Sequence, residues 1–131
     1  MAEGRCNCGQ IKVSIPALPE ESLLCCCSNC RRSGSSVGAI IYAFDTSEVT
    51  INDPNSNLKK YQDNDTKSGK SLIRQFCGNC GCPIASLNSG DPPKVFLCGG
   101  LFEQIPAPGQ KLFEEQEPSW MRVVKTGEKK L

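Results

Sequence analysis

Residues 71–82 read Ser-Leu-Ile-Arg-Gln-Phe-Cys-Gly-Asn-Cys-Gly-Cys. Ser71 to Phe76 form a strand-like run, and the chain then turns sharply through Cys77-x-x-Cys80-x-Cys82. A strand that delivers thiols at chelating separation implies a β domain held together by metal. Two further clusters repeat the theme upstream, at Cys6-x-Cys8 and at Cys25-Cys26-Cys27-x-x-Cys30. No histidine occurs in the chain. A soft divalent ion, zinc above all, takes thiolates at these separations because tight turns aim the sulfurs at one point.

Short alternating or β-branched runs extend outward from this stretch. Ile11, Val13 and Ile15 alternate with polar residues, and Pro16 to Glu21 reads as a loop. Ser22-Leu23-Leu24 leads into the second cluster, and Val37 to Phe44 is a candidate central strand. Val49-Thr50-Ile51 precedes the turn Asn52-Asp53-Pro54-Asn55. Leu58 to Gln62, Ile84 to Leu87 and Lys94 to Cys98 complete the strands, with a polar turn from Asp63 to Gly69. Ile105 to Gly109 reads as a loop, and Phe113 to Trp120 as extended chain or a short turn. No amphipathic helix of ten residues is expected, although a turn after Cys30 can be helical. The pattern predicts one all-β domain of short antiparallel strands, over residues 4–124, with 125–131 a flexible tail.

Composition bounds the chemistry. Eight aromatic residues, 12 Gly and 9 Pro in 131 residues leave a thin core, and small domains of that kind need staples. Ten cysteines can form five disulfides, but such scaffolds belong to oxidising compartments. No secretory segment is evident in Met1–Arg5, and no apolar run approaches the roughly 20 residues that span a bilayer. A cytoplasmic location without a membrane partner is expected, and metal is preferred to disulfides. The formal charge is +1. Subtracting seven charges for thiolates and adding four for two divalent ions leaves about −2, so no basic surface for nucleic acid is expected.

Seven of the cysteines divide as four plus three. Cys6 and Cys8 with Cys77 and Cys80 make a closed structural site that ties the first strand to the far end of the sheet. Cys25, Cys27 and Cys30 make a triplet whose fourth position is either open or closed by Cys26, Cys82 or Cys98. Two zinc ions per chain follow. Arg31 and Arg32, directly after the triplet, are candidates for binding substrate carboxylates or are ordinary surface charges. Glu103 or Glu115 is a candidate proton acceptor, and the remaining carboxylates, Glu117 among them, read as solvated. Trp120 is expected in or near the core, as is Cys98, with Cys82 a small buried filler. Without histidine, Ser-His-Asp and Cys-His nucleophiles are excluded.

The series CNCGQIKVSI, CCCSNCRRSGSS, FCGNCGCPI and EPSW resembles the family of glutathione-dependent formaldehyde-activating enzymes, also called the centromere-protein-V-like family. The likeness runs from about Arg5 to Trp120. It implies a β-tent architecture with a structural zinc on Cys6, Cys8, Cys77 and Cys80 and a catalytic zinc on Cys25, Cys27 and Cys30. It also implies carbon–sulfur lyase activity on glutathione or a similar small thiol adduct. Cys26 stands where the family usually has histidine. Cys82 replaces a small residue, and Phe102 replaces an acidic one in Gly100-Leu101-Phe102. These departures bear on formaldehyde as the substrate more than on zinc. Two alternatives accompany the enzyme reading. One is a non-catalytic zinc-stabilised binding module, and the other is redox sensing through Cys26, Cys82 or Cys98.

Overall fold

Alternation along Ile11, Val13 and Ile15 puts all three side chains on one face, and each is essentially inaccessible to solvent. That face closes a small three-stranded sheet over a larger one. The structure, a computed structural model, describes residues 1–128. Its strands are β1 (Ala2–Arg5), β2 (Lys12–Ile15), β3 (Ser22–Cys25), β4 (Ala39–Asp45), β5 (Thr50–Asn52), β6 (Leu58–Asp63), β7 (Leu72–Cys77), β8 (Pro83–Leu87), β9 (Lys94–Cys98) and β10 (Pro108–Leu112). One short helix, α1 (Ser28–Gly34), follows β3. The small sheet has the order β1-β2-β5 and the large one β10-β3-β4-β9-β8-β7-β6.

Most pairs are antiparallel, as expected for short strands joined by turns. The exception is β10, which lies parallel to β3 and adds the carboxy-terminal part of the chain to the sheet edge. At the opposite edge, β6 carries the exposed Lys59 and Lys60, charges that discourage edge-to-edge pairing.

Between the sheets, Ile11, Val13 and Ile15 meet Tyr42, Ile84, Val95 and Leu97. Tyr42 and Phe102 pack with ring centroids 5.6 Å apart. Phe102 therefore fills the core, whereas its neighbours Gly100 and Leu101 face a cleft. Gly4 is required where β1 crosses the 3-10 turn at Gly99–Leu101, because a Cβ there would lie 2.8 Å from the Leu101 carbonyl oxygen. Burying these side chains at roughly 25 cal/mol per Å² of apolar surface is the main favourable term.

Several boundaries differ from the sequence expectation. The sequence pattern does not predict β1 or β10, and Ile105 to Gly109 is loop only as far as Ala107. Val37 and Gly38 form a bend before β4. Trp120 is 77% exposed rather than near the core, since it sits within a turn that the Met121 N–H closes on the Pro118 carbonyl at 3.3 Å. Glu117 is not solvated: it pairs with Lys111 at 2.8 Å with both side chains nearly buried. Cys82 and Cys98 are half-buried and pack against the edge of the core. Of the expected tail, residues 129–131 lie outside the described residues. Before them, the Thr126 N–H donates to the Pro108 carbonyl at 2.8 Å, and the Glu128 N–H to Lys125 at 3.0 Å.

Candidate metal centres

Two thiol clusters emerge from these elements. The first joins the loop between β1 and β2 to the turn between β7 and β8. In one half, the Gly9 N–H donates to the Cys6 carbonyl at 3.1 Å; in the other, the Gly81 N–H donates to the Cys77 carbonyl at 2.7 Å. Gly9 and Gly81 both have φ +76°, a conformation glycine adopts without Cβ strain. Each turn therefore curls its two cysteines toward the other. Asn57 joins the halves, accepting the Gly78 N–H on its carbonyl at 2.6 Å and donating its side-chain amide to Gln10 Oε1.

The Sγ atoms of Cys6, Cys8, Cys77 and Cys80 all lie within 4.8 Å of one another. Cys6 to Cys8 is 3.6 Å and Cys8 to Cys77 is 3.7 Å. Tetrahedral coordination with metal–sulfur bonds of about 2.3 Å requires sulfurs roughly 3.8 Å apart, so the four residues fit a bound ion. The Ile11 N–H also donates to Cys6 Sγ, at 3.4 Å. Backbone N–H groups of Cys8 and Cys82 lower the Cys80 thiol to about 6.

The second cluster is built by the end of β3 and the first turn of α1. Cys25 closes the strand, Cys27 caps the helix, and Cys30 follows one turn later. The Cys30 N–H donates to Cys27 Sγ at 3.4 Å, and the Arg31 N–H to the Cys27 carbonyl at 2.9 Å. The three sulfurs again lie within 4.8 Å of one another. Among the described residues no fourth Cys, Asp or Glu joins them. Cys26 points elsewhere, fully buried, and burial raises its thiol. Cys82 and Cys98 lie apart from the triplet, on the wall of the cleft. Within the triplet, the hydrogen bond from Cys30 lowers Cys25 to about 6, and the same bond, together with burial, raises Cys30. The proton of that bond thus rests on Cys30 rather than on Cys25, and a bound divalent ion would displace it.

A cation stands behind this triplet that the spacing of cysteines does not reveal. Arg74 on β7 donates through Nε to Asp63 Oδ2 at 2.7 Å, with side-chain exposures of 18% and 8%. The same carboxylate oxygen accepts from Asn29 Nδ2 on α1 at 3.1 Å. Asp63 therefore pins the cysteine-bearing helix to the far strands of the sheet. Burial alone would raise the Asp63 carboxyl, but Arg74 and Asn29 outweigh it and hold it low. The Arg74 charge in turn favours the Cys25 thiolate. Such a diagonal pair becomes visible only once β6 and β7 are placed in register, with Tyr61 opposite Arg74.

The arginines named from the sequence behave differently. Arg31 and Arg32 are exposed on the last turn of α1. Arg31 donates to Ser28 Oγ at 3.3 Å and borders an open cleft with Pro118, Trp120 and Met121. Glu103 and Glu115 are exposed, and neither makes a hydrogen bond to a thiol of the triplet.

Residues 1–122 match the family model described as "Glutathione-dependent formaldehyde-activating enzyme". The match spans nearly the whole chain, and the chain belongs to that family. Among solved structures, a Rhodobacter sphaeroides protein shares the fold with a TM-score of 0.60 and 24% identity, over 79% of this chain and 89% of the other. No curated protein matches the chain.

Proposed function

We propose that the protein is a zinc-dependent carbon–sulfur lyase-type enzyme acting on an adduct of glutathione or a similar thiol. The observation that carries this reading is the inequality of the two clusters, one of four sulfurs and one of three. A four-thiolate set closes a tetrahedral ion, whereas a three-thiolate set leaves one position for a substrate atom. Zinc bound by Cys25, Cys27 and Cys30 would supply Lewis acidity and hold a thiol sulfur as its thiolate.

In the lyase direction, the C–S bond of a hydroxyalkyl thioether breaks and its electron pair leaves on sulfur. The hydroxyl loses its proton as the carbonyl forms, and that proton ends on the released thiol. No oxidant is needed. Arg74, braced by Asp63, adds positive potential where negative charge develops on sulfur. Arg31 and Arg32, exposed beside the triplet, would bind the carboxylates of a glutathione-like carrier. Ten unpaired thiols suit a reducing compartment, and we assign the protein to the cytoplasm. Among the described residues, no helix is long and apolar enough to cross a membrane.

The test is metal content together with turnover. The purified protein is expected to carry two zinc ions, and Cys27→Ser to carry one, remain folded and lose turnover of S-hydroxymethylglutathione. Full activity in that variant would sink the assignment. Cobalt-substituted protein should change its visible spectrum on addition of glutathione. A silent spectrum would favour the non-catalytic binding module.

A further inference from the structure

A cleft of ≈ 420 Å³ opens beside the three-thiolate cluster, within the roughly 300–1,000 Å³ range of small-molecule sites. Its wall is largely apolar and includes Leu24, Val37, Ile40, Leu101, Pro108 and Val123. Cys82 and Cys98 also line it. Burial pushes the Cys98 thiol up to about 12, so at neutral pH it is an uncharged, polarisable surface. None of the ten cysteines is paired.

The cleft meets the triplet through Ala39. Ala39 lines the cleft and is the direct cross-strand partner of Cys25. Paired residues on adjacent antiparallel strands stand side by side on one face, with Cβ atoms about 5 Å apart. Gly34, one turn beyond Cys30, also lines the cleft and packs against Ala39. No sulfur of the triplet lines the cleft, but Cys25 lies one residue from it in two directions, at Leu24 along the strand and at Ala39 across it. A hydroxymethyl group would leave the space empty.

We infer that the cleft receives an apolar substituent carried on the reacting sulfur, so that the preferred substrates are thiol adducts of carbonyl compounds larger than formaldehyde. This inference rests on the proposed thiol-adduct chemistry. It also gives physical content to the substitutions noted in the sequence. Phe102 is core, but Cys82 adds a polarisable thiol to the cleft wall, and Gly100 leaves bare backbone there.

Gly100 provides the experiment, because a Cβ added there meets nothing within 4 Å and the backbone is not left-handed. S-methylglutathione and S-hexylglutathione are titrated calorimetrically into the zinc-loaded protein and into Gly100→Leu, with metal content and circular dichroism confirming that the variant folds. Each buried methylene contributes roughly fourfold in affinity. The hexyl ligand is therefore expected to bind at least about tenfold more tightly than the methyl ligand. Gly100→Leu should erase most of that gap and leave S-methylglutathione unchanged. Equal binding of the two ligands by the unmodified protein overturns the inference and leaves the thiol chemistry standing. A hexyl advantage that survives in a folded Gly100→Leu overturns this cleft as its source. Failure of both ligands to bind removes the thiol-adduct reading and the inference with it.

Discussion

Asp63 holds Arg74 and Asn29 at once, so its loss leaves a half-buried guanidinium without a counter-charge. Asp63→Asn is expected to cost about 3 kcal/mol, at the low end for a broken buried pair because Arg74 keeps some exposure. Denaturant unfolding of the zinc-loaded protein measures it. Since folding lowers the Asp63 carboxyl below 3.8, the pair's contribution is complete above about pH 4 and is lost as pH falls through the lower folded-state value. Cys98 behaves in the opposite sense. Its thiol moves from 9.0 to about 12, so the folded state favours the neutral form. That contribution is complete below pH 9 and declines as pH rises toward 12. Iodoacetamide at pH 8, read by peptide mass mapping, should leave Cys98 unmodified; labelling as fast as a free thiol would contradict the burial. At this scale, spacing alone pointed to the seven clustered cysteines, because metal chelation is local in sequence. Arg74 is not legible in the sequence because its partner Asp63 lies on another strand, and the link onward to the helix runs from Asp63 to Asn29. Trp120 misled because a lone tryptophan is more often covered than exposed, and here it sits within the turn that the Met121 N–H closes on the Pro118 carbonyl.

The thiol-bearing turns depend on backbone freedom as much as on sulfur. Gly81→Ala forces a Cβ into the left-handed region but meets no neighbour within 4 Å, so it isolates conformational cost from clash. A loss of roughly 1–2 kcal/mol is expected, which corresponds to roughly 3–10 °C in the thermal midpoint. An unchanged midpoint would mean that the turn relaxes. Most strands were visible as elements because their apolar residues recur on one face. β1 and β10 were not. Ala2–Arg5 and Pro108–Leu112 contain glycine, charge or proline and no apolar alternation, and they become strands only because β2 and β3 offer open edges. The helix α1, at seven residues, is too short to display a period, and its cysteines rather than helix propensity set its start.

For the molecule as a whole, the two cysteine clusters have unequal structural weight. The four-sulfur centre joins the small sheet to the large one, whereas the three-sulfur centre joins a strand to the helix that follows it. Graded chelation should therefore remove one equivalent of zinc with the fold retained, and then the second together with cooperative unfolding. Zinc release and far-ultraviolet circular dichroism recorded in parallel check this. Simultaneous loss of both ions and of the fold would show the centres to be equivalent. Single-domain, all-β character was legible from strand spacing and cysteine turns, while the division into two sheets was not, since it depends on which edges pair. One feature reaches beyond the finished molecule. Cys8 and Cys77 stand 69 positions apart, and β10 is added later still. A ribosome making this protein must release well over half the chain before the four-thiol cradle is complete. Until then Cys6 and Cys8 travel without their partners as bare, oxidisable thiols, so oxidation during translation, rather than afterwards, competes with correct folding.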